Sequence, residues 1–217
     1  MNYYKKIKAG TKEAKDIHIG AKRESVNRVS QRGMMSPELQ HILQELSRNA
    51  SVAEIPRQIA LCRRALELVS REDNEQVWAA IQGTMGNSFA QSPYDNRAEN
   101  IEQAIASYEA ALNVYTHEAL PINWAMTQNN LGNAYSDRII GERGQNIEQT
   151  IAFYEAALTV FTREALPINW AMTQNNLGNA YRSRIIGERG QNIELAIAFY
   201  EAALTVRTRE ALPEQWA

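Results

Sequence analysis

The sequence predicts an all-α stack of antiparallel helix hairpins, and three observations carry that prediction. The four tryptophans, Trp78, Trp124, Trp170 and Trp216, recur every 46 residues, and a fixed interval of that length marks a tandem-repeat chain. Segments 121–166 and 167–212 differ at only five positions: Ser136/Arg182, Asp137/Ser183, Gln149/Leu195, Thr150/Ala196 and Phe161/Arg207. Apolar residues within each unit are spaced by three, four and seven, and no run alternates in the way a half-buried strand would.

Taking 121–166 as the type unit, Pro121 suits the first turn of a helix, where its missing N–H would have had no partner. Trp124, Leu131 and Tyr135, with Gly132 and Ala134, place one apolar face along that helix. Gly141 and Gly144 in IIGERGQN punctuate the pattern. Asn146 then reads as the N-cap of a second helix, with Gln149 completing a box-like cap. Ile147, Ile151, Tyr154, Ala157, Leu158 and Phe161 form its stripe within the run IEQTIAFYEAALTVFTREAL.

Projecting the interval along the chain gives a basic N-terminal arm at 1–34, a degenerate capping hairpin at 35–73, and repeats at 74–120, 121–166 and 167–212. Residues 213–217 read as the start of a further, truncated repeat. In the 35–73 unit Pro37 opens a helix, but the Trp and Gly are missing, as expected of an end unit.

The formal charge of −2 conceals an asymmetry, because all six lysines lie in the first 22 residues. Residues 1–32 hold nine Lys/Arg against three Asp/Glu, and the remainder holds 14 Arg against 22 Asp/Glu. The basic arm is read as a solvated leader or one that docks on its own acidic body, and the acidity of the repeats argues against a nucleic-acid partner. No stretch approaches the ~20 apolar residues of a membrane span, and no signal-peptide core follows Met1. A single cysteine, Cys62, sits in the apolar run IALCRRALEL and reads as a buried, inert thiol in a reducing, cytoplasmic setting.

At these residues the chain resembles the tetratricopeptide repeat family. Leu131-Gly132-Tyr135 and Leu177-Gly178-Tyr181 match that family's first helix, and Ala104-Tyr108-Ala111 and Ala196-Tyr200-Ala203 its second. Thr150-Tyr154-Ala157 departs at its first position; Pro121, Pro167 and Pro213 supply the closing proline. About twelve residues beyond the family's usual unit are assigned half to the inter-helix connection and half to the end of the second helix. The Trp124-to-Gly132 segment is similar to a long, Trp-containing variant of large bacterial multidomain proteins, many of which join the repeats to a caspase-like CHAT protease or another signalling module. The resemblance covers about 35–217 and implies a right-handed superhelical solenoid whose first helices line a concave groove. Trp78, Trp124, Trp170, Gly132, Tyr135, Gly178 and Tyr181 are its structural signature.

Little in the chain could carry covalent chemistry. His18, His41 and His117 stand far apart and form no ligand-spaced cluster, so neither a metal nor another cofactor is expected. No nucleophile–base arrangement is recognisable, and the Gly141–Gly144 loop lacks the Lys-Ser/Thr of a phosphate cradle, so no enzymatic role is assigned. What stands out is QNNLGN, intact at 128–133 and 174–179.

With Leu131, Ala134 and Tyr135 on the packing face, Asn129, Asn130 and Asn133 fall on the groove side, as do Asn175, Asn176 and Asn179, with Asn87 in the earlier copy. Each amide offers a donor and an acceptor and can bracket a peptide unit. The competing reading is that the amides bond between repeats and bind nothing. The family's carboxylate-gripping groove is set aside, since the corresponding positions are Gly83, Asn87, Asn130, Met172 and Asn176, without a cation.

Arg138, Arg143, Arg184 and Arg189, joined in the last repeat by Arg182 beside the groove, are read as neutralising carbonyls at helix C-termini, the alternative being that they flank the groove and favour an acidic ligand. The tryptophans are read as wedges against the preceding second helix.

The expected function is therefore a protein-interaction scaffold that binds an extended peptide or a partner domain along an Asn-lined groove. The alternatives are a structural self-assembly element and the sensor or regulatory arm of a larger protein with an effector domain. Leu195, Ile197, Phe199 and Leu204 predict an apolar C-terminal end that self-associates weakly.

Overall fold

The computed structural model describes residues 35–48 and 50–206, so the predicted arm at 1–34, Arg207, and the repeat start at 213–217 with Trp216 lie outside the described residues. Among the described residues there are eight α-helices and no strand. They are α1 (Pro37–Leu46), α2 (Ile55–Leu68), α3 (Glu75–Gln91), α4 (Arg97–Leu112), α5 (Pro121–Asp137), α6 (Arg143–Leu158), α7 (Pro167–Ser183) and α8 (Arg189–Leu204). The described residues divide between two units, with the boundary between His41 and Ile42. The described part of the first is the opening of α1, where the Ser36 Oγ accepts from the Leu39 N–H at 3.1 Å.

Within the second unit, neighbouring helices pack in pairs, α3 with α4, α5 with α6 and α7 with α8, and each pair packs on the next. The pairing follows from one contact made three times. A Cβ built on Gly86, Gly132 or Gly178 would lie 2.5–2.6 Å from a ring carbon of Tyr108, Tyr154 or Tyr200. The glycine lets the ring of the second helix lie flat on the backbone of the first. Around it, Ile101, Ile105 and Tyr108 of α4 join Leu131 and Ala134 of α5 in one buried cluster. Ile147, Ile151 and Tyr154 of α6 join Leu177 and Ala180 of α7 in the equivalent one.

The second helices begin and end differently from the sequence expectation. α6 starts at Arg143 with Glu142 at the N-cap, so Asn146 is not a cap and no Asn146–Gln149 box forms. Instead Asn146 is buried one turn inside the helix, and its Nδ2 donates to the Ile140 carbonyl at 2.9 Å. Asn100 and Asn192 hold Tyr94 and Ile186 in the same way. The backbone turns through positive φ at Asp95 (62°), Gly141 (87°) and Gly187 (84°), one position in three copies. Glycine adopts that conformation without strain, and Asp is among the few other residues that tolerate it.

At its other end α6 stops at Leu158, not at Leu166. β-Branched Thr159, Val160 and Thr162 disfavour further helix, the Thr159 Oγ1 donates to the Ala156 carbonyl at 2.7 Å, and Phe161 is drawn into the core at 2% exposure. Residues 159–166 therefore form a turn anchored by a buried ring rather than a longer helix.

Cys62 is fully buried, and desolvation pushes its thiol up to about 12, which keeps it protonated and inert. No helix among the described residues is long and apolar enough to cross a membrane.

A candidate peptide-binding face

The first helices α3, α5 and α7 share an outward face that the helical repeat assembles from residues three and four apart. On α5 it runs Ile122, Met126, Asn129/Asn130, Asn133 and Asp137; on α7 it runs Ile168, Met172, Asn175/Asn176, Asn179 and Ser183. α3 contributes Ala80, Thr84, Asn87 and Gln91 at the same positions. Asn87, Asn133 and Asn179 are exposed, whereas Asn129, Asn130, Asn175 and Asn176 are half-buried.

Six of these seven amides, all but Asn175, are tied into the fold through one atom each. The Tyr108 hydroxyl donates to the Asn87 Oδ1 at 2.9 Å, Tyr154 to Asn133 at 2.7 Å and Tyr200 to Asn179 at 2.9 Å. The same Oδ1 accepts from the next repeat, Asn130 Nδ2 reaching Asn87 at 3.0 Å and Asn176 Nδ2 reaching Asn133 at 3.3 Å. Asn129 Oδ1 accepts from the Thr173 hydroxyl at 3.2 Å. Thr127 has no such partner because Gly83 stands where Asn129 would be. The inter-repeat bonding considered from the sequence is thus present, but it does not exhaust the amides. No bond among the described residues uses the Nδ2 of Asn87, Asn133 or Asn179, or the Oδ1 of Asn130 or Asn176.

The face is indented. A depression of about 210 Å³ is lined by Asn87, Gln91, Tyr108, Asn130, Asn133 and Asp137 among others. A second, of about 400 Å³, continues from Asn87 and Gln91 to Thr84, Ser88 and Gln58. Beside the amides lies an apolar strip that the sequence reading did not single out. Ile122, Met126, Ile168 and Met172 are each about half exposed (49–51%). Their signal was the four-residue spacing that puts them in line with the asparagines and away from Leu131 and Ala134.

The arginines divide into two kinds. Arg143 and Arg189 donate to the Ser136 and Arg182 carbonyls at first-helix C-termini, as expected. Arg138 and Arg184 do not: they form two-pronged pairs with Glu102 and Glu148 of the preceding second helix, at 2.7–2.8 Å. Each also lies over the ring of Tyr135 or Tyr181. Arg97, which caps the Ala90 carbonyl, additionally pairs with Asp137 across a repeat boundary. Arg182 is exposed at the rim of the face and makes no side-chain pair among the described residues.

The hydrogen bonds from Arg184, helped by its charge, hold the Glu148 carboxyl below its ordinary 4.5. A carboxyl depressed on folding stabilises the folded state above its unfolded pKa, and that contribution fades as pH falls through the folded value. Glu148→Gln is expected to cost about 1 kcal/mol or less near neutrality, since the pair is partly solvated. It should also flatten the acid side of the stability profile. Urea melts near pH 7 and near pH 3 check this; equal losses at both pH values would show that the charge pair contributes nothing.

Among the described residues no group of His, Cys, Asp and Glu could hold a metal ion. No family model matches this chain, and neither does any curated protein or solved structure.

Proposed function

We propose that this chain is a tetratricopeptide-type interaction module whose stacked first helices hold an extended peptide. The observation that carries the reading is the orientation of the amides. Tyrosine hydroxyls and neighbouring Nδ2 groups occupy the Oδ1 of Asn87 and Asn133, which turns their Nδ2 groups outward as donors. The same bonds leave the Oδ1 of Asn130 and Asn176 as acceptors. One donor and one acceptor per repeat match the carbonyl and N–H of a peptide unit. Packed helices lie about 8–10 Å apart, and extended chain advances about 3.3 Å per residue. A rung therefore recurs about every third ligand residue, and the Ile122/Met126 and Ile168/Met172 strip receives an apolar side chain between rungs. The superhelical form of the stack belongs to this same proposal.

A random peptide library selected on the immobilised protein tests it. Enriched peptides should carry apolar residues at a regular spacing. They should bind Asn130→Ala/Asn176→Ala about tenfold more weakly, as expected when two backbone groups lose their partners. Asn130 and Asn176 are chosen over Asn133 because Asn133 also anchors Tyr154. Unchanged affinity in this variant, with an unchanged melting temperature, would remove the amides from recognition.

A further inference from the structure

The outer face of α8 repeats a surface that is covered twice elsewhere in the molecule. On α4, Ile101, Ile105 and Tyr108 are 1–5% exposed beneath Leu131, Ala134 and Tyr135 of α5. On α6, Ile147, Ile151 and Tyr154 are 3–5% exposed beneath Leu177, Ala180 and Tyr181 of α7. The matching residues of α8 are Ile193, Ile197, Tyr200 and Leu204. Here Ile197 is 50% and Leu204 57% exposed, while Ile193 and Tyr200 are half-buried. Of the four apolar residues that the sequence suggests cannot all be covered, Phe199 is the one that packs inward, stacking on Tyr181 at 5.2 Å. Leu195 projects from the other side of the helix.

Charge identifies what this face accepts. At each internal boundary the apolar contact is flanked by one ion pair, Glu102 with Arg138 and Glu148 with Arg184. Glu194 occupies the same position on α8 and has no ion pair among the described residues. We propose that this face docks a helix of a partner polypeptide carrying Leu-x-x-Ala-Tyr-x-x-Arg, the pattern with which α5 and α7 cover their own neighbours. Its arginine seats on Glu194 in two-pronged geometry while its Leu, Ala and Tyr cover Ile197 and Leu204. A second copy of the chain is a poorer occupant. Its own helices of this pattern, α5 and α7, are already packed.

The test uses the full chain with labelled isoleucine, leucine and methionine methyl groups, and a peptide of the α7 sequence, residues 167–184, as the probe. A helix this short is marginal alone, so binding should be weak but saturable. Methyl signals of Ile193, Ile197 and Leu204 should shift, while those of Met126 and Met172 stay in place. Glu194→Arg should weaken the peptide about tenfold, and a peptide carrying Arg184→Glu should recover that loss on the variant. The proposal is overturned by the absence of saturable shifts, by equal affinity in Glu194→Arg, or by shifts at the groove methionines alone. Shifts at α8 that depend on protein concentration without peptide would assign the face to a second copy instead.

Discussion

Replacing Tyr154 with alanine is expected to cost about 3–5 kcal/mol, the range for truncating a buried aromatic ring. Tyr154 is 3% exposed, its ring covers Gly132, and its hydroxyl holds Asn133. Gly132→Ala probes the same contact from the other side. Alanine favours helix over glycine by about 1 kcal/mol, yet the added methyl would sit 2.5 Å from the Tyr154 Cε1. Overpacking of this kind costs about 1–3 kcal/mol, so the substitution should destabilise despite the better helix former. In the Tyr154→Ala background the same change should become neutral or favourable, since the ring is gone and the two sites couple directly. Denaturant melts of the four proteins decide it; an identical Gly132→Ala effect in both backgrounds would mean that the glycine is not there to admit the ring.

Trp124→Ala should cost about 2–4 kcal/mol. The value is below that of a fully buried tryptophan because Trp124 is only half-buried. The loss is nonetheless large because the indole packs against two clusters. One contains Ala111, Val114 and Tyr115 of the preceding unit, and the other Ala125, Ala157 and Phe161 of its own. His117 meets the indole edge-on at 4.9 Å, and Arg163 stands over Trp170 in the next copy. Because neighbouring units share this contact, the damage should reach beyond one hairpin and broaden the unfolding transition. A loss under about 1 kcal/mol with a transition as sharp as before would make the tryptophan a surface residue.

Period and first helices were legible because their determinants are local. Pro121 and Pro167 open α5 and α7, and Leu131, Gly132 and Tyr135 need only a helical wheel to be placed on one face. The second helices were less so. Asn146 has the composition of a cap, but burial of its side chain against a loop carbonyl six residues back depends on how the chain returns on itself. Phe161 continued the apolar stripe of α6, and nothing in the pattern distinguishes a longer helix from a turn that buries the same ring. Arg138 and Arg184 were assigned to carbonyls because helix ends favour cations, whereas their carboxylate partners lie 36 residues back and come within reach only once hairpins stack. The asparagines on the candidate face were readable from helical spacing. The direction in which each amide points was not, since it is set by the tyrosines of the second helices.

The boundary between α4 and α5 and the boundary between α6 and α7 share one apolar contact and one Glu–Arg pair, and this makes copy number an adjustable quantity. If residues 121–166 were excised, α4 would meet α7 through Leu177, Ala180 and Tyr181, and Glu102 would find Arg184 where Arg138 had been. Two attachments would be lost, because Ser183 replaces the Asp137 that pairs with Arg97 and Gly83 stands where Asn129 accepts from Thr173. A protein joined in this manner can lengthen or shorten by whole units while the apolar contact and the Glu–Arg pair of each surviving seam stay matched, so the extent of its candidate face can change without a new apolar interface having to arise.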